Sequence, residues 1–463
     1  MPTPAATITI LDPADGSLFG ELETTVPDEI GGVVEGAVKA ATVWSRTSPA
    51  ERAAAVAAAA DRVAAAAEEL AMATTREMGK PLADARGGVD AGASTLRQYA
   101  ELGPLHRGRS LQGAWNATDL MVHGPRGVVA AITPWNDPVA VPCGIIGAAL
   151  VTGNTVVFKP SERTPHTGVA LARLISEELP AGVLQVVVGD GTAGAVLAES
   201  PHVDVIVHVG STATGRSIAA AAARTGAKVL LENGGNDPMI VDGDVDPEWA
   251  AEQASIGAFA NAGQICTSVE RLYVVESVAE RFTEALVRRA GALTMGSGTD
   301  TATQLGPLVD TRMRDLVHGH VTEAVESGAD LLLGGVVPEG AGAFYPATVL
   351  TGCTPEMAVM REETFGPVAP ISVVPDFDSA LEAACSGSYG LAAVVLTAAM
   401  EHAQRAWREL PVGTVKVNAA FGGAPGGAAE PRGASGTGFG YGPELLDELT
   451  TTKVVHLGLP RQS

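Results

Sequence analysis

The chain has 463 residues, more than one small hydrophobic core accommodates, so we expect two or three domains. Its 53 acidic and 30 basic residues give a net charge of −23, which argues against nucleic acid and anionic membranes as partners. The 55 glycines and the small aromatic fraction of 4% are typical of a compact α/β enzyme rather than a disordered chain.

The four cysteines, Cys143, Cys266, Cys353 and Cys385, are far apart in the sequence, without CxxC spacing or an adjacent histidine cluster. We therefore expect no metal site and no disulfide framework, and we expect the reducing cytoplasm as the location. The first residues lack the basic and apolar regions of a signal peptide. Apolar runs end before the roughly 20 residues that a membrane-spanning helix needs, so no membrane partner is expected.

The amino-terminal part of the chain predicts helices. The string SPAE at 48–51 combines an N-cap, a proline at the first helical position and the acidic residue of a capping box. An alanine-rich helix should run from there to about residue 75, and a second helix should cover 82–101 after a break at 78–81. Weak alternation over 107–127 predicts a loose hairpin outside the main sheet.

From residue 128 onward, short apolar runs alternate with helical stretches. The predicted strands cover 128–132, 155–158, 185–188, 205–209 and 228–231, and the predicted helices cover 138–150, 166–178, 193–199 and 214–223. Strands that are apolar throughout and are joined by crossover helices predict a parallel sheet with both faces covered. Because ligands bind beyond the carboxyl ends of such strands, the candidate binding residues are those that follow them, at 133–136, 159–162, 210–211 and 232–235.

A second β/α pattern predicts another α/β domain, with strands over 271–275, 368–374 and 392–396 and a helix over 279–290. This domain would carry Cys266. Gly263 permits an unusual backbone conformation before that residue, and Thr267 and Ser268 are small enough to leave its thiol open to a pocket. A nucleophilic thiol needs a base, a cation or a helix amino terminus nearby, and most cysteines taken alone are merely small buried apolar residues.

The string GDGTAG at 189–194 matches the GxGxxG pattern between a predicted strand and a predicted helix. In dinucleotide-binding folds this pattern follows the first strand and precedes an acidic residue by about 20 positions. Here it follows the third strand of the series. We interpret it as a tight turn in which Gly189 is a candidate cofactor contact.

Six strings occur in register along the chain, mostly at predicted strand ends. They are TPWNDP at 133–138, KPSE at 159–162, GSTATG at 210–215, ENGG at 232–235, GQICTSVER at 263–271 and ETFGP at 363–367. Together they resemble the aldehyde dehydrogenase superfamily, and the resemblance covers nearly the whole chain. It implies an α/β fold with a Rossmann-like cofactor domain formed by 1–106 and 128–234, a second α/β catalytic domain at 235–430, and a small oligomerisation arm with a β-hairpin formed by 107–127 and 445–463.

The resemblance implies three catalytic residues. Cys266 would attack an aldehyde carbon, and the side-chain amide of Asn136 would stabilise the resulting oxyanion together with the Cys266 backbone N–H. Glu232 would activate the water that hydrolyses the thioester, and partial burial would raise its pKa into a useful range. Taken singly, Asn136 would more often be a turn residue before Pro138, and Glu232 could be a surface charge at a strand end.

The resemblance also implies a nicotinamide cofactor. The candidate cofactor-binding residues are Thr133, Pro134, Trp135, Lys159, Ser161, Glu162, Gly189, Gly210, Ser211, Gly234, Glu363 and Phe365. A carboxylate at Glu162 can accept both hydroxyls of an adenosine ribose and would repel a 2′-phosphate, which favours NAD over NADP. Gly210 and Ser211 precede a helix whose amino terminus would bind the pyrophosphate.

Several positions depart from the family pattern or leave the function open. Asn233 replaces a usual aliphatic residue, the loop 431–438 is altered, and Asp137 and Gly144 predict a roomier or more polar substrate mouth. Arg271 could be either an ion-pair partner or a substrate anchor. Two other functions remain open: a CoA-acylating semialdehyde dehydrogenase of the same fold, and a non-catalytic nucleotide-binding member. The partners implied are a small aldehyde and further copies of the chain, as a homodimer or homotetramer joined through the arm.

Overall fold

The computed structural model describes residues 6–423 and 427–460. The chain begins with an antiparallel hairpin and four helices: β1 (Thr7–Leu11), β2 (Leu18–Glu23), α1 (Pro27–Trp44), α2 (Pro49–Ala65), α3 (Ala67–Met78) and α4 (Leu82–Leu102). The capping box that the sequence predicts is present at the start of α2, between Ser48 and Glu51. The single long helix predicted to residue 75 is instead divided at Ala66. The N–H of Ala66 is shared between the carbonyls of Arg62 and Val63, which tightens the last turn of α2.

A short 3₁₀ turn (Gly103–Leu105) leads to the hairpin formed by β3 (Arg109–Leu111) and β4 (Thr118–Pro125). This hairpin lies outside both main sheets, as the sequence predicts. The side chain of Trp115 at its tip is fully exposed.

The first main sheet confirms the predicted β/α alternation. Its elements are β5 (Val128–Ile132), α5 (Ala140–Val151), β6 (Thr155–Lys159), α6 (Pro165–Ser176), β7 (Leu184–Val186), α7 (Gly191–Glu199), β8 (Val205–Val209), α8 (Thr212–Thr225) and β9 (Lys228–Glu232). The strands are parallel in the order β9-β8-β5-β6-β7. Alternate residues of β5 belong to separate hydrophobic clusters, Val129 and Ala131 on one side and Val128 and Ala130 on the other, so both faces are covered.

The second main sheet is also mostly parallel. Its region contains β10 (Asp237–Val241), α9 (Pro247–Phe259), β11 (Val269–Val275), α10 (Glu276–Gly291), α11 (Thr311–Glu326), β12 (Asp330–Leu333), β13 (Thr348–Thr351), α12 (Ala358–Arg361), β14 (Val368–Val374), α13 (Phe377–Cys385), β15 (Tyr389–Gly390), β16 (Ala392–Leu396), α14 (Met400–Glu409) and β17 (Thr414–Val417). The order is β12-β13-β14-β11-β10-β16-β17, with β12 antiparallel to its neighbour. A second α/β unit is therefore confirmed.

The carboxyl-terminal segment contacts both main sheets and the hairpin. It contains β18 (Arg432–Gly433), β19 (Gly436–Thr437), α15 (Glu444–Glu448) and β20 (Thr450–Leu457). β18 pairs with β15, β19 pairs with β9, and β20 pairs along its whole length with β4. The predicted arm segment 445–463 is thus divided, because Leu445, Leu446 and Leu449 pack into the core of the first sheet.

The limits of the cofactor domain, the catalytic domain and the arm remain predictions. Among the described residues, no helix is both long and apolar enough to cross a bilayer.

Candidate active site

A cavity of about 1490 Å³ lies where the two main sheets meet. The first sheet lines it with residues that follow its strands, and the second sheet lines it with residues that precede its strands. The predicted site residues that line it are Thr133, Pro134, Trp135, Asn136, Lys159, Ser161, Glu162, Gly210, Ser211, Glu232, Gly234, Cys266, Glu363 and Phe365. Gly189 is the exception. Gly191 and Gly194 line the cavity in its place because the predicted turn is the start of α7 and turns these residues inward.

The loop that carries Cys266 has an unusual backbone. Asn261, Ala262 and Gly263 have φ angles of 50°, 54° and 72°, so three consecutive residues are left-handed. A Cβ on Gly263 would lie 2.1 Å from the carbonyl oxygen of Gly366, so a larger residue does not fit there. The left-handed conformation costs on the order of 1 kcal/mol for each residue that is not glycine. Side-chain amides hold the loop, since Asn261 and Gln264 each donate to the other's carbonyl at 3.1 Å.

Cys266 is half-buried, and its thiol opens on the cavity. Burial raises the pKa of the Cys266 thiol to about 12, and the carboxylates of Glu232, Asp237, Glu363 and Asp137 add to the increase. The thiol is therefore protonated at neutral pH in the unliganded chain. A nucleophilic role requires that the proton be taken up by a base or that positive charge stabilise the thiolate.

The amide of Asn136 is fixed against the cysteine loop. Asn136 is buried, and its Nδ2 donates to the carbonyl oxygen of Gln264 at 3.0 Å. An amide NH₂ carries two hydrogens, so one donor remains for another acceptor. Asn136 follows β5 and Gln264 precedes β11, so this hydrogen bond joins the two sheets at the cavity.

Glu232 ends β9 and is largely buried. Burial raises the pKa of the Glu232 carboxyl to about 8, although the N–H of Gly440 donates to its Oε1 at 3.1 Å and acts in the opposite direction. The loop 431–438, which departs from the family pattern, supports this residue. Gly436 of β19 pairs directly with Glu232, and a Cβ at Gly440 would lie 2.3 Å from Oε1. The altered loop therefore holds the backbone at Glu232, and Gly440, just after the loop, holds its carboxyl group.

The ETFGP segment is held by a buried carboxylate that the sequence analysis missed. Glu270 accepts hydrogen bonds from the N–H groups of Thr364 at 2.9 Å and Phe365 at 2.8 Å. Phe365 has a φ of 53°, and its ring packs edge-on against Trp135 at 5.4 Å between centroids. Glu363 accepts from the N–H of Gly235 at 3.1 Å, and burial holds the pKa of Glu363 well above its usual range.

Arg271 does not reach the cavity. Its Nε donates to the carbonyl of Asn236 at 2.8 Å and its Nη1 to the carbonyl of Ser386 at 2.9 Å. Of the two roles that the sequence left open, a structural one fits these contacts. The partners, however, are carbonyl groups and not the ion pair that we considered.

A crevice of small residues opens from the same cavity between α7 and α8. Its walls are the helix faces formed by Gly191, Gly194, Ala195 and Ala198 and by Thr214, Ser217, Ile218 and Ala221. At its mouth, the Nζ of Lys159 lies 3.6 Å from the Oε2 of Glu162. Ser211 is the N-cap of α8, and its side chain accepts the N–H of Thr214; both residues line the cavity where the helix begins. A flat base, a ribose and a pyrophosphate fit these three features in that order.

The sequence analysis missed the two helix faces that form the crevice. Their residues are spaced by three and four, which is the periodicity of one face of a helix, and this spacing could have identified them. Tyr441 and His208 also line the cavity without having been singled out. Tyr441 follows the altered loop, where the family pattern gave no guidance.

Histidines and a carboxylate also converge outside the cavity. Atoms of His106, His123 and Asp447 lie within 4.8 Å of one another beside the hairpin, and His106 contacts Asp447 at 2.8 Å. This group is the kind of cluster that the spacing of cysteines and histidines in the sequence does not reveal.

Comparison with known proteins identifies the family. The model of the aldehyde dehydrogenase family matches residues 2–455. The chain belongs to the aldehyde dehydrogenase family. It is 36% identical to the succinate-semialdehyde dehydrogenase of Paenarthrobacter nicotinovorans over 454 residues, which covers 96% of this chain and 100% of that protein.

Further relatives agree with this assignment. This aldehyde dehydrogenase is 35% identical to the NADP(+) succinate-semialdehyde dehydrogenase GabD of Escherichia coli, with 98% of this chain and 94% of that protein covered. The crystal structure of an NAD-dependent aldehyde dehydrogenase from Sinorhizobium meliloti superposes with a TM-score of 0.96 at 36% identity, covering 99% and 92% of the two chains. The aldehyde dehydrogenase is thus an NAD(P)-dependent oxidoreductase with the α/β fold predicted from its sequence.

Proposed function

We propose that this aldehyde dehydrogenase oxidises a small aldehyde to a carboxylic acid through a thiohemiacetal and a thioester on Cys266. The single observation that carries the proposal is that Cys266, Glu232 and Asn136 line one cavity with the crevice between α7 and α8. A thiol, a carboxyl group, an amide donor and a nucleotide-sized groove together supply every group that this chemistry requires.

In the first step, the Sγ of Cys266 attacks the carbonyl carbon and its proton passes to the Glu232 carboxylate. The carbonyl oxygen becomes an oxyanion. The free N–H of the Asn136 amide and the backbone N–H of Cys266 are the donors for this charge, and the loss of one such donor costs about 3–4 kcal/mol in comparable sites. The hydrogen bond from Asn136 to Gln264 keeps the amide in place before the substrate arrives.

A nicotinamide cofactor bound in the cavity would supply the acceptor for the hydride that the adduct on Cys266 releases. Lys159, Ser161, Glu162 and Ser211 would hold its adenosine and pyrophosphate, and Glu363 and Phe365 its nicotinamide end. Glu232 releases to solvent the proton that it received from Cys266, and it then takes a proton from water, whose oxygen attacks the thioester carbon. The C–S bond breaks, the acid leaves, and Cys266 returns as the thiolate. A pKa of about 8 at Glu232 suits it to carry protons in both directions near neutral pH.

We propose NAD as the preferred cofactor. Glu162 is 44% exposed at the mouth of the crevice, where its carboxylate is free to accept ribose hydroxyls and would repel a 2′-phosphate. Lys159 beside it can donate to the same hydroxyls. Relatives are named for either cofactor, so this preference depends on Glu162 and not on the family.

For the substrate, we propose a small polar aldehyde. Asp137 follows Asn136 on the cavity wall, where the phenol of Tyr441 also lies. A Cβ placed on Gly144 would lie 3.7 Å from the Tyr441 ring, so this ring, and not open space, lies beside Gly144. A carboxyl group and a phenol on the wall favour polar substituents over a long alkyl chain. Two of the relatives named above are succinate-semialdehyde dehydrogenases, and a semialdehyde is one such substrate class.

We also propose that the enzyme forms a homodimer or homotetramer in the cytoplasm. In the described part of the chain, β20 has β4 on one side and an unpaired edge on the other. Val454 and Leu457 of β20 are exposed apolar residues, and so is Trp115 at the tip of the β3–β4 hairpin. A strand edge with apolar neighbours is a natural site for another copy of the chain. The four free thiols fit a reducing compartment.

The test is a panel of aldehydes assayed with NAD and with NADP, with and without CoA, for reduced cofactor and for free acid. We expect reduced cofactor and acid in equal amounts without CoA, and a higher kcat/KM with NAD. Product formation that requires CoA would instead identify an acylating enzyme. No reduced cofactor with any aldehyde would identify a non-catalytic member.

A further inference from the structure

Two histidines and an aspartate converge beside the β3–β4 hairpin, away from the cavity. Their ligand atoms, one from each of His106, His123 and Asp447, all lie within 4.8 Å of one another. The Nε2 of His106 contacts the Oδ1 of Asp447 at 2.8 Å, and the imidazole rings of His106 and His123 stack with 4.4 Å between their centroids. Three groups that bind transition metals in proteins are therefore within reach of a single ion.

The backbone brings the two histidines together. His123 lies in β4, where Thr452 of β20 is its direct partner and places its Oγ1 3.5 Å from the Nδ1 of His123. His106 follows the 3₁₀ turn, and the chain after it runs close against β4. A Cβ on Gly108 would lie 2.0 Å from the carbonyl oxygen of Met121, so only glycine allows this approach. The position of the His106 ring beside His123 thus depends on the course of the backbone and not on a flexible side chain alone.

Asp447 is held on the other side by α15. The Nε of Arg126 donates to the carbonyl oxygen of Glu448 at 2.7 Å, and the Oγ1 of Thr450 donates to the carbonyl oxygen of Leu446 at 2.9 Å. Both bonds fix the backbone next to Asp447 against β4 and β20, because Arg126 follows β4 and Thr450 begins β20. A site gains affinity when its ligands are held in place before the ion arrives.

A three-ligand set of this kind suits Zn²⁺. Zinc binds imidazole nitrogens and a carboxylate oxygen at about 2.0–2.2 Å, and a water completes a tetrahedral site. Tetrahedral ligands at those bond lengths are about 3.3–3.5 Å apart. The 2.8 Å contact between His106 and Asp447 and the 4.8 Å limit for the other pairs lie on either side of this spacing, so small side-chain rotations suffice. The side chain of Asp447 is 69% exposed, which leaves room for the water, and the net charge of −23 draws cations to the surface.

We propose that His106, His123 and Asp447 form a zinc site that ties the hairpin to α15. The ion would displace the proton between His106 and Asp447, and His123 would supply the third protein ligand. Because Leu445 and Leu446 of α15 pack into the core of the first sheet, the ion would fix β4 to that core. The spacing of the cysteines and histidines in the sequence predicted no metal site, and this proposal revises that expectation. It does not depend on the proposed function.

The test is a calorimetric titration of the chelator-treated full-length protein with Zn²⁺. All proteins carry Cys266→Ala, because the thiol that opens on the cavity is itself able to bind zinc. We expect one Zn²⁺ per chain in this parent. His123→Gln and Asp447→Asn each remove one ligand with little change in size and should weaken the binding at least about tenfold. The matched control is His456→Gln: His456 contacts Asp119 at 2.7 Å, but the described residues add no third ligand to that pair, so the affinity should not change.

Two further measurements identify the ligands and the effect of the ion. With Co²⁺ in place of Zn²⁺, we expect the visible bands of a four-coordinate site without the near-ultraviolet band of a cobalt–thiolate bond, which would appear if another cysteine held the ion. Zn²⁺ at a concentration that saturates the parent should raise the Tm of the parent and of His456→Gln more than that of Asp447→Asn, because an ion that binds only the folded chain stabilises it.

Circular dichroism checks that each variant is folded. If His123→Gln is not, Asp447→Asn decides, since its largely exposed side chain contributes little to packing. No saturable binding to the parent would overturn the proposal and leave a hydrogen-bonded cluster without metal. An affinity that neither ligand variant changes, a cobalt–thiolate band, or a Tm that Zn²⁺ does not raise would also overturn it. None of these measurements requires turnover, so the failure of this proposal and the failure of the proposed function are distinguishable.

Discussion

The two main sheets contribute to the cavity from opposite ends of their strands. The first sheet uses the carboxyl ends: Asn136 follows β5, Lys159 ends β6, Ser211 follows β8 and Glu232 ends β9. The second sheet uses the amino ends, with Cys266 ahead of β11 among the residues that precede its strands. The carboxyl ends present regular turns and helix amino termini, which suit a nucleotide. The amino ends need left-handed backbone and buried carboxylates to hold one thiol, so the two sheets support their parts of the site by different structural means.

Asn136 connects the carboxyl ends of the first sheet to the amino ends of the second, and its substitution should have the largest effect on kcat. Asn136→Ala should lower kcat about 10²- to 10³-fold, because one of the oxyanion donors is lost. Affinity for NADH, measured by fluorescence titration, should change little. A matched control is Asn154→Ala, whose amide bonds to Gly127 and Leu449 away from the cavity and should affect stability instead. An unchanged kcat in Asn136→Ala would show that this residue does not stabilise the oxyanion.

Gly263→Ala should disturb only the part of the site that the second sheet contributes, which is the loop that carries Cys266. A Cβ there would lie 2.1 Å from the Gly366 oxygen at a φ of 72°, so we expect a destabilisation of about 3 kcal/mol and loss of Cys266 alkylation. Gly319→Ala in α11 is the control, since open space surrounds that glycine and alanine should stabilise the helix by up to about 1 kcal/mol. Denaturant unfolding measures both. Equal stability of the two variants would show that the loop is not constrained as described.

The carboxyl group of Glu232 should make thioester hydrolysis dependent on pH. Its pKa of about 8 lies above its usual value of 4.5, so the active carboxylate should increase about tenfold per pH unit up to pH 8 and level off above it. Burst and single-turnover kinetics measure this step, and Glu232→Gln should abolish the dependence. Because the folded-state pKa is raised, this carboxyl group favours folding at low pH, and its contribution is lost between about pH 4.5 and pH 8. If the rate of thioester hydrolysis in the parent enzyme does not depend on pH, a residue other than Glu232 is the general base.

Substitution of Glu162 should affect only cofactor selection, which depends on the first sheet. We expect this effect to be the smallest of the four. Glu162→Ala removes the carboxylate that disfavours a 2′-phosphate, so the ratio of kcat/KM for NAD to that for NADP should fall about tenfold while kcat with NAD is retained. Glu326→Ala, at the exposed end of α11, should leave the ratio unchanged. A ratio that is insensitive to Glu162 would mean that other residues select the cofactor.

The first sheet was the easier of the two to predict from the sequence. Strands such as 205–209 are apolar throughout and β-branched, and the polar residues after them lie at a common edge for purely geometric reasons. The order of the six strings along the chain identified Cys266 as a site residue. The sequence next to Cys266 does not by itself predict the geometry of its loop. The left-handed run at 261–263 has only a partial signal, since Gly263 and, to a smaller extent, Asn261 favour that conformation whereas Ala262 does not.

Long-range contacts were the least predictable part. Glu270 holds the segment around Phe365 from 95 residues away in the sequence, and Gly440 holds Glu232 from 208 residues away. Neither pairing follows from periodicity or composition.

The proposed mechanism depends on a thioester that forms on Cys266 and is hydrolysed with Glu232 as the base. The most direct measurement is mass spectrometry of Glu232→Gln after mixing with an aldehyde and NAD, with Cys266→Ala in the same background as the control. We expect one acyl group on the peptide that contains Cys266. It should be stable for minutes and absent from the control. An acyl group on Cys143, Cys353 or Cys385, or free acid released at the parent rate with no adduct, would contradict it.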